Sequence, residues 1–342
     1  MIKLRAFILS LTLVSAFSLA HGQETSIDTR DEALFAKAFE LYQKGLYASS
    51  QKIFEKFLAE YSSGGVAQLR TEAEFYRAIC AIELNNNDAE YLLGRFIQNH
   101  PESQYIDLAY FVMGKRQYQQ KSFTSSIYWL SMVDREGLEK EKRYEMQFML
   151  GYCYFMTNDF ELANKWLYQV KDVDSKFSGP ATYYYSHIAY LQKKYATALK
   201  GFEKLQNDDT FAPIVPFYIS QIYYLQGDYQ KVVAYAPPLV ADNTTRRTPE
   251  IARIVGDSYF KLRQYDSALV YLNKYVEKTP QLSRDDYYLV GFTYYKTGNF
   301  SEATKHLERV STVDDSLSQN ANYHLADCYL KLNDKPKARQ AF

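Results

Sequence analysis

Aromatic rings recur along this chain at a nearly constant interval. Phe35, Phe75, Phe111, Phe148, Tyr183, Phe217, Tyr288 and Tyr323 follow one another in register, with Arg253 at the one step where the ring is missing. Seven residues after each of these stand Tyr42, Ile82, Tyr118, Phe155, Tyr190, Tyr224, Phe260, Tyr295 and Leu330. Seven residues are two turns of an α-helix, so the two rows share one side of their helices. The chemistry such rings offer is stacking and apolar contact at low entropic cost, suited to an extended peptide or a partner helix. Other chemistries lack the residues they need. His21, His100, His187, His306 and His324 are scattered, and none has a second His or Cys at ligand spacing. There is no glycine-rich phosphate loop and no Gly-x-Ser-x-Gly elbow. The expectation is a protein that binds, with no catalytic residue, no metal and no cofactor.

The elements that must carry these rings are helices. The 342 residues hold 40 Lys or Arg and 40 Asp or Glu, and a formal net charge of zero argues against a nucleic-acid protein. Hydrophobic residues at 47% and charged residues at 23% are ordinary for a globular chain. Only 9 Pro and 14 Gly interrupt it, too few for an all-β protein with its frequent turns.

Nine marked positions, Ser50, Ala89, Ser126, Ala163, Ala198, Val232, Ala268, Ala303 and Ala338, are spaced 34 to 39 residues apart. That period belongs to a two-helix unit stacked in a solenoid. Twelve residues before most of them stands something small: Ala38, Gly114, Gly151, Ser186, Ser220, Gly256, Gly291 or Ala326. Four residues after comes a large apolar residue, as in Phe54, Leu130, Leu167, Phe202, Leu272 and Leu307. A small residue facing a large one lets two helices of a pair approach closely. Pro237-Pro238 should stop the second helix of the sixth unit near Ala236, and Thr248-Pro249-Glu250 reads as the cap and first turn of the next helix.

These units resemble tetratricopeptide repeats. Tyr287-x2-Val290-Gly291-x2-Tyr294, followed by Phe300-x2-Ala303-x3-Leu307, matches that pattern almost slot for slot, and Val255-Gly256-x2-Tyr259 and Leu150-Gly151-x2-Tyr154 open two further clear units. The resemblance covers residues 31–342. It implies an all-α right-handed superhelix of eight helical pairs and a truncated ninth, with the solenoid continuing beyond Phe342. It also implies that the first helices line a concave groove, which makes Phe111, Tyr118, Phe148, Phe155, Tyr183, Tyr190, Phe217, Tyr224, Phe260, Tyr288 and Tyr295 the expected partner-binding residues. The family's clamp for a terminal carboxylate needs Lys and Asn on this face, where Phe, Tyr and Ile stand instead.

The amino terminus reads as a signal peptide over residues 1–22: Lys3 and Arg5, an uncharged apolar stretch, then small residues that suit cleavage after Ala20 or after Gly22. No cysteine follows for a lipid anchor. Cys80, Cys153 and Cys328 fall at nearly the same place in non-adjacent units and read as buried thiols. The chain is thus expected to be exported, periplasmic or outer-membrane associated, and to scaffold a protein or peptide of the cell envelope. Phe57-Leu58-x2-Tyr61 and Phe96-Ile97-x2-His100-Pro101 are similar to envelope tetratricopeptide proteins of the outer-membrane-assembly type. The alternative is the sensory or recruiting front of a larger signalling protein or enzyme whose active part lies after Phe342.

Overall fold

The computed structural model describes residues 26–60, 67–242, 245, 247–311 and 313–342, and every regular element among them is helical. The leader over residues 1–22 and residues 61–66 lie outside the described residues. Two compact units divide after Glu139. The first contains three helical pairs: α1 (Ser26–Gln43) with α2 (Tyr47–Glu60), α3 (Ala67–Glu83) with α4 (Ala89–Asn99), and α5 (Ile106–Gln119) with α6 (Phe123–Ser131). The second opens with α7 (Lys140–Met156) and α8 (Phe160–Tyr168), α9 (Ser178–Leu191) and α10 (Tyr195–Lys204), then α11 (Val215–Leu225) and α12 (Tyr229–Tyr235) followed by the short α13 (Pro237–Asp242). It continues with α14 (Thr248–Lys261) and α15 (Tyr265–Lys278), α16 (Arg284–Lys296) and α17 (Phe300–Leu307), and α18 (Ser316–Lys331) and α19 (Lys335–Ala341).

The turn inside each pair is built the same way throughout. One residue in it has a left-handed backbone: Gly45, Asn85, Lys121, Asn158, Lys193, Gly227, Arg263, Gly298 and Asn333, with φ between 55° and 80°. The amide after it reaches back to close the first helix, as Lys194 N to Ala189 O at 2.8 Å and Asn299 N to Tyr294 O at 3.0 Å. In four pairs a side chain then caps the second helix. Asp159, Asp228, Asn299 and Asp334 accept from the amides of Leu162, Lys231, Glu302 and Lys337 at 3.1 to 3.4 Å.

Small residues on the first helix meet large ones on the second. A Cβ added at Gly114, Gly151, Gly256 or Gly291 would lie 2.5 to 2.9 Å from side-chain carbons of Leu130, Leu167, Leu272 or Leu307, all four of which are buried. Where the marked residue is Ser rather than Ala, its buried hydroxyl donates to the carbonyl twelve residues back: Ser50 to Ala38 O at 2.8 Å, and Ser126 to Gly114 O at 2.9 Å. The three cysteines are buried free thiols.

Pro237 ends α12 as its missing amide requires, but the chain restarts at once as α13 with Pro237 in its first turn, where no amide donor is needed. Thr248 is the first residue of α14 rather than its cap. Its hydroxyl donates back to Thr245 O at 2.9 Å.

Two substitutions test this geometry. Gly256→Ala should cost about 1–3 kcal/mol by forcing Leu272 off its seat. Lys193→Gly should stabilise by about 1 kcal/mol by relieving the left-handed strain. Urea-unfolding midpoints of the two variants should move in opposite directions.

Candidate partner-binding face

The first helices of the second unit carry a set of rings that touch from helix to helix. Tyr184 on α9 is the first hub: its ring centroid lies 4.9 Å from Tyr152 and 5.1 Å from Phe155, both on α7. Phe148 stacks on Phe177 at 5.7 Å. Tyr183 stacks on Phe211 at 4.9 Å. Tyr218 on α11 is the second hub, with Phe202, His187 and Tyr190 at 5.1, 5.2 and 5.4 Å. His187 therefore sits among Phe155, Tyr183, Tyr190 and Tyr218. Burial, with help from the Arg247 charge, pushes its pKa below the ordinary imidazole value. Arg247 itself lies over the Phe217 ring at 4.5 Å.

Farther along the same unit the hub is Phe292. It stacks on Tyr288 at 5.6 Å and on Tyr295 at 5.8 Å, meets Phe260 at 5.8 Å and the His324 ring at 4.5 Å, and lies under the Lys296 ammonium at 4.9 Å. Desolvation, and then the Lys296 charge, hold the His324 pKa down. Hydroxyls tie one repeat to the next. Tyr224 Oη donates to Asp257 at 2.5 Å and Tyr295 Oη to Asp327 at 2.8 Å. The bond to Asp327 pushes the Tyr295 phenol up to about 12, with burial adding to it. At the step where the ring row breaks, Arg253 pairs with Asp286 instead, and Asp286 also accepts from Tyr275 Oη at 3.1 Å and Ser283 Oγ at 2.6 Å. Burial works against the ionised Asp286, yet the hydrogen bonds from Ser283 and Arg253 prevail and lower its pKa.

Against known proteins, a sequence model described as tetratricopeptide repeat matches residues 72–103, and one described as anaphase-promoting complex, cyclosome, subunit 3 matches residues 261–342. The tetratricopeptide match spans one helical pair, α3 with α4, and the pairing of helices along the described residues is that of an α-α superhelix. Among solved structures, the C-terminal part of a tetratricopeptide repeat-containing protein from Cytophaga hutchinsonii is 17% identical, covering 68% of this chain and 92% of that one, with a TM-score of 0.52. The apo form of RapI is 13% identical over 91% of this chain and 96% of its own, with a TM-score of 0.52. At these identities the likeness is one of fold. The human intraflagellar transport protein 88 homolog is 22% identical over 144 residues, which are 41% of this chain and 17% of that protein.

Within this tetratricopeptide frame the expected binding residues divide by burial. Phe148 and Phe217 are buried, while Phe155, Tyr183, Tyr190, Tyr224, Phe260, Tyr288 and Tyr295 are half-buried in the second unit. In the first unit Phe111 is buried, with the Lys115 ammonium 5.9 Å from its ring, and Tyr118 is half-buried. The hubs Tyr184, Tyr218 and Phe292, and His187 beside them, are absent from the two sequence rows. His187 and Phe292 lie four residues after Tyr183 and Tyr288, one turn along the same helix side, and extending each row by that turn finds them. Tyr184 and Tyr218 follow Tyr183 and Phe217 directly, on a side that only packing between repeats reveals. Among the described residues there is no cluster of three or more metal-ligating side chains, and no helix long and apolar enough to cross a membrane.

The buried imidazole sets a pH dependence. Because the folded pKa of His187 lies below its unfolded value of about 6.5, the unfolded chain binds more protons below that pH and stability falls as pH drops. His187→Phe should shrink the loss in urea midpoint between pH 7.5 and pH 5.5. An unchanged loss would place the sensitivity elsewhere.

Proposed function

We propose that this chain is an exported, non-catalytic scaffold that holds a protein or peptide of the cell envelope on the first-helix face of its second unit. The observation that carries the reading is a row of half-buried rings, Phe155, Tyr190, Tyr224, Phe260 and Tyr295, one from each of five successive repeats, each seated by its neighbours with part of its surface open. Rings already held by stacking lose little conformational entropy when a partner arrives, so the apolar area they offer converts into affinity efficiently. Lys296 over Phe292 and Tyr295, and Arg247 over Phe217, add cations beside the rings. A partner presenting apolar side chains with acidic neighbours at intervals suits this face. The export reading rests on the leader pattern of residues 1–22. A role in assembly or growth of the outer envelope is part of the same proposal and rests on the resemblance in units such as Phe96-Ile97-x2-His100-Pro101.

A photo-crosslinking amino acid placed at Tyr190 or Phe260 in the native host tests this directly, with a control at Val270, an exposed residue on the second helix of its pair. Adducts with one envelope protein from the two ring positions and none from Val270 are expected. Adducts from Val270 alone, or with cytosolic proteins only, would overturn the reading.

A further inference from the structure

One repeat departs from the others when they are compared at the position three residues after each marked one. Most repeats place a large residue there: Ile53, Leu92, Trp129, Trp166, Tyr235, Tyr271 and His306. Four of these rings pack on a ring of their own first helix: Tyr271 on Tyr259 at 5.6 Å, His306 on Tyr294 at 5.7 Å, Trp129 on Tyr110 and Tyr235 on Tyr223 each at 6.1 Å. The fifth repeat has lost both halves of such a pair. Gly201 stands where the second-helix ring belongs, and Ala189 stands where Tyr223, Tyr259 and Tyr294 stand in their repeats. A Cβ at Gly201 would collide with the Ser186 hydroxyl, whereas repeats with Trp129, Trp166, Tyr271 or His306 carry Gly114, Gly151, Gly256 or Gly291 in the place of Ser186.

Beside Gly201 a cavity of about 520 Å³ opens among α8, α9 and α10. Its volume exceeds that of one aromatic ring. The rings of Tyr168 and Tyr185 wall one side, 6.0 Å apart, with the Lys171 ammonium 4.7 and 5.4 Å from them. Lys200 and Lys204 line the other side. The lining holds three ammonium groups and one carboxylate, Asp172, which pairs with Lys171 and, at 2.9 Å, with Lys204. Those hydrogen bonds, Lys171 first, hold Asp172 ionised with a pKa near about 2. Lys200 has no ion-pair or hydrogen-bond partner among the described residues. On a chain of zero net charge, this is a local cationic excess beside two aromatic rings.

We propose that this cavity takes an aromatic side chain from an acidic segment of a partner protein, with the ring beside Gly201 and the flanking carboxylates on Lys171, Lys200 and Lys204. The ring would restore the contact that the other repeats make for themselves. Tyr168 at the rim, 63% exposed, and the exposed Ala196 and Thr197 leave the mouth open to a chain entering and leaving. The site does not depend on the ring face described above, so either can fail alone.

The test is fluorescence anisotropy of a capped, fluorescein-labelled pentapeptide with one tryptophan between two pairs of glutamates, against its alanine counterpart, in about 50 mM salt, where charge attraction is little screened. The tryptophan peptide should bind about tenfold tighter than the alanine one. Ser186→Gly with Gly201→Trp should fill the slot, weaken binding about tenfold, and leave the melting temperature unchanged or higher. Lys200→Glu, which leaves the Lys204–Asp172 pair and the packing in place, should also weaken it, and decides the matter if the filled variant does not fold. Equal binding of both peptides, no binding, or retention by the charge-reversed variant would overturn the proposal. So would indoleacetate binding as tightly as the peptide, which would make this a small-molecule site.

Discussion

Everything in this protein depends on how closely two helices of a pair can approach. At Gly114, Gly151, Gly256 and Gly291 the first helix has no side chain, and a buried leucine of the second helix occupies the space a methyl group would need. Close-packed interiors forfeit much of their dispersion energy over gaps of even a fraction of an ångström. The contact therefore sets the distance between helices, and the left-handed turn residue sets their angle. With that contact in four pairs and the left-handed turn in all nine described pairs, side chains at equal offsets end up in equivalent places within their repeats, and rows of rings become possible at all.

The repeated frame is tolerant in a specific way. Only three of the nine left-handed turn positions are glycine; the others are Asn, Lys or Arg, each holding a backbone conformation that costs something for a residue with a Cβ. The array accepts that cost because every turn is closed by the same backbone bond from the amide after the left-handed residue, including those at Lys121, Lys193 and Arg263, whose second helices have no side-chain cap. Likewise Ser replaces Ala at two marked positions and satisfies its hydroxyl on a carbonyl within the same pair. Local substitutions are absorbed locally, as expected of a structure in which each repeat contacts mainly its neighbours.

Three polar pairs on the ring face link adjacent repeats. Tyr224 with Asp257 and Tyr295 with Asp327 repeat one device, a phenol donating forward to a carboxylate on the next first helix. Arg253 with Asp286 replaces a ring contact by an ion pair at the step where the ring is absent. A buried carboxylate without such a donor would be costly, so these pairs also fix the register of neighbouring repeats. The same face contains His187 and His324 packed at a tilt against aromatic rings, and burial there holds both imidazole pKa values below the ordinary one.

The all-helical class, the nine-fold period, the Gly-to-Leu contact and the end of α12 at Pro237 were legible in the sequence, because each follows from spacing along one helix or from the backbone chemistry of one residue. Which rings face inward was not. Phe148 and Phe155 sit two turns apart on one helix side, yet one is buried and the other half-open: Phe177, at the entry to α9, stacks on the first, while Tyr184 and His187 of α9 meet the second and leave part of it exposed. The hubs Tyr184 and Tyr218 are defined only by contacts between repeats. The cavity at Gly201 likewise needed the packed structure, for a missing side chain becomes a space only when the helices around it fail to close over it. A periodic sequence determines what is alike in every repeat; tertiary packing decides what one repeat does differently, because burial depends on neighbours that lie far away along the chain.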